Sequence, residues 1–219
     1  LLCNNAVGIV GYMGYSDFFQ LTDFNDWLSI SSGSDHFCAI RNGELYCFGY
    51  NLYGQLGTST NGNYYDPRKV GELNDWEKIT SGNFYTCGIR SGELYCWGNN
   101  DKGQLGDETS QKKNSPHKIG SENSWSAISA GNSHTCGISS GELFCWGDNS
   151  FGQLGNETFL PSYSPLKVGD RSDWEKISCG SLSTCAIASG ELFCWGSIAS
   201  RLLGDLYNIV STPVRIGTY

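Results

Sequence analysis

Cys38-Ala39-Ile40-Arg41-Asn42-Gly43-Glu44-Leu45-Tyr46-Cys47 reads as a β-hairpin with its own register. Asn-Gly between two apolar runs is the strongest short-range signal for a two-residue type I′ turn. Counting back from it pairs 41 with 44, 40 with 45, 39 with 46 and 38 with 47. The pair flanking the turn exchanges hydrogen bonds, so alternation makes 38–47 a non-hydrogen-bonded pair, where side chains approach most closely. That separation suits a disulfide. The same segment recurs with Ser-Gly as the turn, which predicts four bridges: Cys38–Cys47, Cys87–Cys96, Cys136–Cys145 and Cys185–Cys194. Ile40 and Leu45 share the cysteine face, and Ala39 and Tyr46 the other. Both faces are apolar, as in strands covered on both sides. Arg41–Glu44 and Arg90–Glu93 fall opposite each other beside the turn, where an exposed pair adds less than about 1 kcal/mol.

The hairpin belongs to a longer unit. Trp27, Trp76, Trp125 and Trp174 stand 49 residues apart, and each opens a W-x-x-I-x-x-G stretch. Three units continue to G-Q-L-G, at 54–57, 103–106 and 152–155, whereas the fourth has Arg201-Leu202-Leu203-Gly204. A fixed period of this length means a solenoid, propeller or array. Short β-type segments separated by glycine turns, without helical periodicity, select the propeller. The expected fold is all-β, a propeller of four-stranded blades of about 49 residues. Its repeats span 26–74, 75–123, 124–172 and 173–219, with 1–25 as the tail of a preceding partial blade.

The G-x-x-[HY]-[TF]-C segment, the G-E-L-[YF]-C-[WF]-G strand and the G-Q-L-G turn together resemble the regulator of chromosome condensation repeat, in its secreted, cysteine-bearing form. The resemblance runs from about Asp26 to the C-terminus. It implies a ring that usually has seven blades, so four repeats and a partial one are expected to be completed by further chain or by a partner. It also implies two activities: inhibition of an enzyme such as a β-lactamase by the loops of one face, and guanine-nucleotide exchange or chromatin-type binding.

Composition narrows these. Ten cysteines, eight of them paired in hairpin register, place the chain outside the reducing cytosol, extracellular or at a cell surface. Fourteen Lys and Arg against 22 Asp and Glu give a net charge of -8, a poor balance for neutralising phosphates, so no nucleic-acid partner is expected. No run of about 18 apolar residues exists, so no membrane span is expected in this segment. The chain opens at Leu1 rather than a methionine, and the expectation is of a processed or partial chain.

No catalytic constellation emerges, and the chain is expected not to be an enzyme. His36 and His134 share a repeat position that Tyr85 and Ser183 fill elsewhere, and no nucleophile elbow or phosphate-cradling loop is present. No metal and no cofactor are expected: there is no C-x-x-C pair, and structural zinc wants closely spaced ligands. Asn99-x-Asp101-x-Gly103 has the start of a calcium loop without its remaining ligands. Glu44, Glu93, Glu142 and Glu191 are read as solvated, and the tryptophans as wedges between blades. Cys3 and Cys179 have no hairpin partner and are left unpaired or inter-blade.

Where repeats differ, a repeat protein is free to recognise something. The variable loop positions nominate Asp35, His36, Leu52, Tyr53, Phe84, Tyr85, Lys102, His134 and Phe151 as contacts for a protein partner or for self-assembly. Asn156-Glu157-Thr158 is a glycosylation sequon, with Asn156 the acceptor in a secreted protein. The resulting expectation is a non-enzymatic extracellular binding or structural module, part of a surface or filament assembly, with a secreted enzyme inhibitor as the alternative.

Overall fold

In a computed structural model, residues 25–198 and 209–217 are described, and they form strands with no helix. The first sheet holds β1 (Trp27–Ser32), β2 (His36–Arg41), β3 (Glu44–Gly49) and β4 (Tyr64–Lys69). The second holds β5 (Trp76–Ser81), β6 (Tyr85–Arg90), β7 (Glu93–Gly98) and β8 (Lys113–Lys118). The third holds β9 (Trp125–Ala130), β10 (His134–Ser139), β11 (Glu142–Gly147) and β12 (Ser162–Lys167). The fourth holds β13 (Trp174–Cys179), β14 (Ser183–Ala188), β15 (Glu191–Ser197) and β16 (Ile209–Ile216). Each is an antiparallel meander in chain order, one propeller blade.

The hairpin at the centre of each blade has the register counted from the turn: Arg41 opposes Glu44 and Cys38 opposes Cys47. Asn42 and Gly43 adopt φ of 51° and 75°, the left-handed pair that a type I′ turn requires, and Ser91 with Gly92 does the same at 47° and 72°. All four hairpin disulfides are present, each across Cα atoms 4.1 Å apart.

The two faces of a hairpin go to different neighbours. Cys38, Ile40, Leu45 and Cys47 pack with Trp76 and Trp97 of the next blade, and Cys136, Ile138, Leu143 and Cys145 pack with Trp174 and Trp195. Trp76, Trp125 and Trp174, which open the second to fourth repeats, therefore close the joint with the blade before them. Trp76 and Trp97 meet edge-on at 5.8 Å, an arrangement the ring quadrupoles favour.

The charged residues beside the turn behave differently from expectation. Arg41 and Glu44 are opposite in register, yet Arg41 pairs with Asp26 and Glu44 with Lys69. Arg90 likewise forks onto Asp75 at 2.7 and 2.9 Å, holding that carboxyl below its usual range, while Glu93 takes Lys118. Glu142 and Glu191 pair with Lys167 and Arg215. The repeated glutamates are thus tied to the outer strand of their own blade rather than simply solvated. The reason is geometric: a hairpin with strands on both sides offers each charged residue a partner across the next strand as well as across the turn.

The outer strand of each blade carries a proline, at 67, 116, 165 and 213. Its missing N–H costs nothing on an edge, and it blunts edge-to-edge pairing.

Candidate functional site

The G-Q-L-G turn acts through a main-chain atom. The carbonyl of Gln55 accepts hydrogen bonds from Trp97 Nε1 and Thr86 Oγ1 of the next blade, both at 2.9 Å. Gln104 takes Trp146 at 2.9 Å and Thr135 at 2.8 Å, and Gln153 takes Trp195 at 2.9 Å and Thr184 at 2.8 Å. Gly57, with φ of 72°, lets the turn lie against the indole; a Cβ there would stand 2.7 Å from Trp97 Nε1. Buried Asn51 braces the turn, its Oδ1 accepting from the Leu56 N–H at 2.9 Å and its Nδ2 donating to the Thr60 carbonyl at 2.8 Å.

Three nominated contact residues belong to these joints and not to the surface. His36, Tyr85 and His134 are all 0% exposed, which removes them as partner contacts. Their repeat position begins the second strand of each blade, and the side chain turns inward against the following blade. Thr86 donates its hydroxyl hydrogen to the Gln55 carbonyl, so His36 Nε2 is the donor in its 2.9 Å bond to Thr86 Oγ1. His134 Nε2 meets Thr184 Oγ1 at 3.0 Å in the same way. Each Nδ1 is left buried without a hydrogen-bond partner. Burial pushes both imidazoles down to about 4, since a cation there would be unsolvated. Tyr85 instead donates to the His134 carbonyl at 2.5 Å, and burial raises its pKa.

The remaining nominated residues lie on one face, built by the turns from first to second and third to fourth strand. Asp35 and Lys102 are exposed, and Leu52 is 52% exposed. Tyr53, Phe84 and Phe151 are partly buried. The structure brings Phe84 of the second blade against Tyr53 and Tyr50 of the first, at 5.1 and 6.1 Å between ring centroids. Tyr50 was not nominated from sequence, because it lies at the end of a strand pattern and its partner is 34 residues away. Toward the axis the same turns meet in a ladder: Ser34 N–H to the Asn83 carbonyl, Asn83 to Asn132, and Asn132 to Ser181, each 3.3 Å.

Cys179 lines this axial opening. It is the free cysteine among the described residues, its thiol donating to the Ser129 carbonyl at 3.3 Å, and burial pushes it up to about 12. Cys3 lies outside the described residues, as do Arg201–Gly204 of the irregular fourth turn. His134, Cys136 and Cys179 offer ligand atoms within 4.8 Å of one another. The Cys136 sulfur is bonded to Cys145, however, and the two ligands left are fewer than the three or four of a zinc site. Asn156 is partly buried; its Oδ1 accepts from Asn149 Nδ2 and Thr158 Oγ1, both at 3.0 Å.

Comparison with known proteins follows this architecture. Two models described as the regulator of chromosome condensation (RCC1) repeat match the chain, one at 42–89, 91–138 and 140–187, the other at 27–55, 76–104 and 125–153. No curated protein matches significantly. The structure is similar to that of human WBSCR16, with TM-score 0.82 and 22% identity over 94% of this chain and 57% of that one. It is similar to yeast RCC1 (Prp20) crystallised with Kap60, with TM-score 0.79 and 22% identity over 90% of this chain and 50% of that one. A further structure of Prp20p from Saccharomyces cerevisiae, described with its binding properties to Gsp1p and histones, gives TM-score 0.79 and 22% identity, covering 90% of this chain and 51% of that one. The chain thus spans about half the length of the solved structures it matches.

Proposed function

The chain belongs to the regulator of chromosome condensation (RCC1) repeat family, and from that premise we propose that it is a non-catalytic recognition propeller working outside the reducing cytosol. The observation that carries the reading is the aromatic cluster of Tyr50, Tyr53 and Phe84, with the exposed Leu52 on the same loop. It sits on the face where the blades differ, and it spans a rigid joint between two of them. Aromatic side chains held on such a scaffold give contact area at low entropic cost. Asp35, Lys102 and Phe151 extend the same face around the ring. The ring itself is taken to have seven blades, completed by further chain or by a partner.

The four hairpin disulfides support the compartment, because such bonds are rare where glutathione keeps thiols reduced. They weigh against a nuclear exchange or chromatin role, although yeast Prp20 is described with Gsp1p and histones. In the same compartment Asn156 is the proposed glycan acceptor. Glycosidase treatment should then shift the mobility of the secreted protein but not of an Asn156→Gln variant.

The recognition reading is tested by placing a photo-crosslinking residue at position 52 and identifying the captured protein. Phe84→Ala and Tyr53→Ala should each reduce its capture about tenfold, the loss of an interface anchor worth about 1.4 kcal/mol or more. Equal capture by wild type and both variants would dismiss this face as the binding surface.

A further inference from the structure

The outer edge of the second blade carries Lys112, Lys113, His117 and Lys118, of which the first blade has counterparts only in Arg68 and Lys69, and the third only in Lys167. Lys112, Lys113, Asn114, Ser115 and His117, with Asn61 from the first blade, line one concave pocket. No carboxylate is among the lining residues. The pocket is held open by a two-way clasp: the Ser59 N–H donates to the Asn114 carbonyl at 2.8 Å, and Asn114 Nδ2 donates to the Ser59 carbonyl at 3.3 Å. Behind it, Lys113 is fixed by Asp107 at 3.0 Å, while Lys112 reaches only the Leu52 carbonyl, at 3.4 Å. Lys112 and His117 are exposed.

The main-chain half of the clasp recurs at the next two joints, as Glu108 N–H to the Tyr163 carbonyl and Glu157 N–H to the Ser211 carbonyl. The side chains around it do not recur. Pro161, Ser162 and Leu166 replace Lys112, Lys113 and His117 at the second joint, and Ile209, Val210 and Val214 do so at the third. At the clasp residue itself, Ser59 stands where the others have Glu108 and Glu157. The first joint has therefore gained Lys112, whose ammonium has no carboxylate partner among the described residues, together with the Lys113–Asp107 pair, and has lost the clasp carboxylate, in a chain of net charge -8. A fold requirement would have appeared at all three joints.

We propose that this pocket binds a single tetrahedral oxyanion, a phosphate or sulfate ester group carried by a small ligand. The Lys112 ammonium, the Lys113 ammonium already anchored on Asp107, an imidazole, two carboxamides and a hydroxyl form a donor set matched to oxygen acceptors, and charge-assisted bonds are the strong ones. The pocket has six lining residues and the chain as a whole carries a net charge of -8, so it does not suit a polyanion that needs many phosphates neutralised in a row. The site does not include Phe84 or Tyr53, so its failure would leave the recognition reading standing, and the reverse.

The test is an NMR titration of the protein at low ionic strength with inorganic phosphate, O-phosphoserine and a 6-sulfated N-acetylglucosamine. Saturable shifts should be confined to 58–63 and 112–118. Lys112→Gln combined with His117→Gln should weaken binding about tenfold or more, while Lys167→Gln, on the outer strand of the third blade, should leave it unchanged. Thermal melts of both variants should match wild type, since the replaced side chains are exposed. Tighter binding of phosphoserine identifies a phosphorylated ligand, and tighter binding of the sulfated sugar a sulfated one. No saturable shift up to about 20 mM of any probe, or an undiminished response in the double variant, overturns the proposal.

Discussion

The first blade and the later three share one backbone plan, but they equip the same face of it differently. In the second, third and fourth blades a threonine and a tryptophan donate together to a glutamine carbonyl of the preceding turn. In the first blade those two positions hold Phe37 and Phe48, which stack on each other at 5.3 Å with their planes 18° apart. Neither side chain can donate. The backbone register is the same in both cases, as Phe37 opposes Phe48 just as Thr86 opposes Trp97. Blade architecture and joint chemistry are thus separate inheritances: the first is set within a repeat, the second by a pair of repeats.

The largest effect should come from making a later blade resemble the first. Thr135→Phe with Trp146→Phe strands the Gln104 carbonyl in a buried joint and crowds it. A loss of about 4 kcal/mol is expected in denaturant unfolding, from an unsatisfied buried acceptor plus overpacking. A loss under about 1 kcal/mol would show that the shared carbonyl does not hold the blades together.

A second contrast lies among the joints themselves, two closed by histidine and one by tyrosine. His36 and His134 stay neutral in the folded protein down to about pH 4, whereas in the unfolded chain they take protons near pH 6.5. Between those values the unfolded state binds more protons, so stability falls as pH drops from about 6.5 toward 4 and levels off below. The full depression corresponds to up to about 3 kcal/mol per histidine. His36→Tyr should recreate the arrangement of Tyr85 and abolish that residue's share. Unfolding curves of wild type and variant between pH 7 and 4 would run parallel if the histidines were not responsible.

The smallest effect is expected from the reverse exchange in the first blade. Phe48→Trp restores an indole N–H but disturbs a stacked pair, and should cost about 1 kcal/mol. A gain of more than about 1 kcal/mol by calorimetry would mean that a carbonyl does face this surface, erasing the difference between first and later blades.

Much of this was legible from residue order. Asn42-Gly43 and the 49-residue period led to the hairpin register, the four-stranded blade and the Cys38–Cys47 type of bridge. His36, Tyr85 and His134 were misread as surface contacts because they occupy variable positions, and variability marks a joint that changes partners as readily as it marks a binding loop. The gathering of Lys112, His117 and Asn61 into one pocket went unseen for a related reason, since the residues come from two repeats and look like ordinary solvated polar groups in isolation.

The division follows from distance along the chain. Turn type, strand register and disulfide pairing depend on residues at most nine apart, so local steric rules and alternation determine them. The joints depend on residues 31, 42 and about 50 positions apart: Gln55 with Thr86 and Trp97, His36 with Thr86, Asn61 with Lys112. Only the packing of one blade on the next decides which of those meet, and with it which polar groups are buried and which are left to bind.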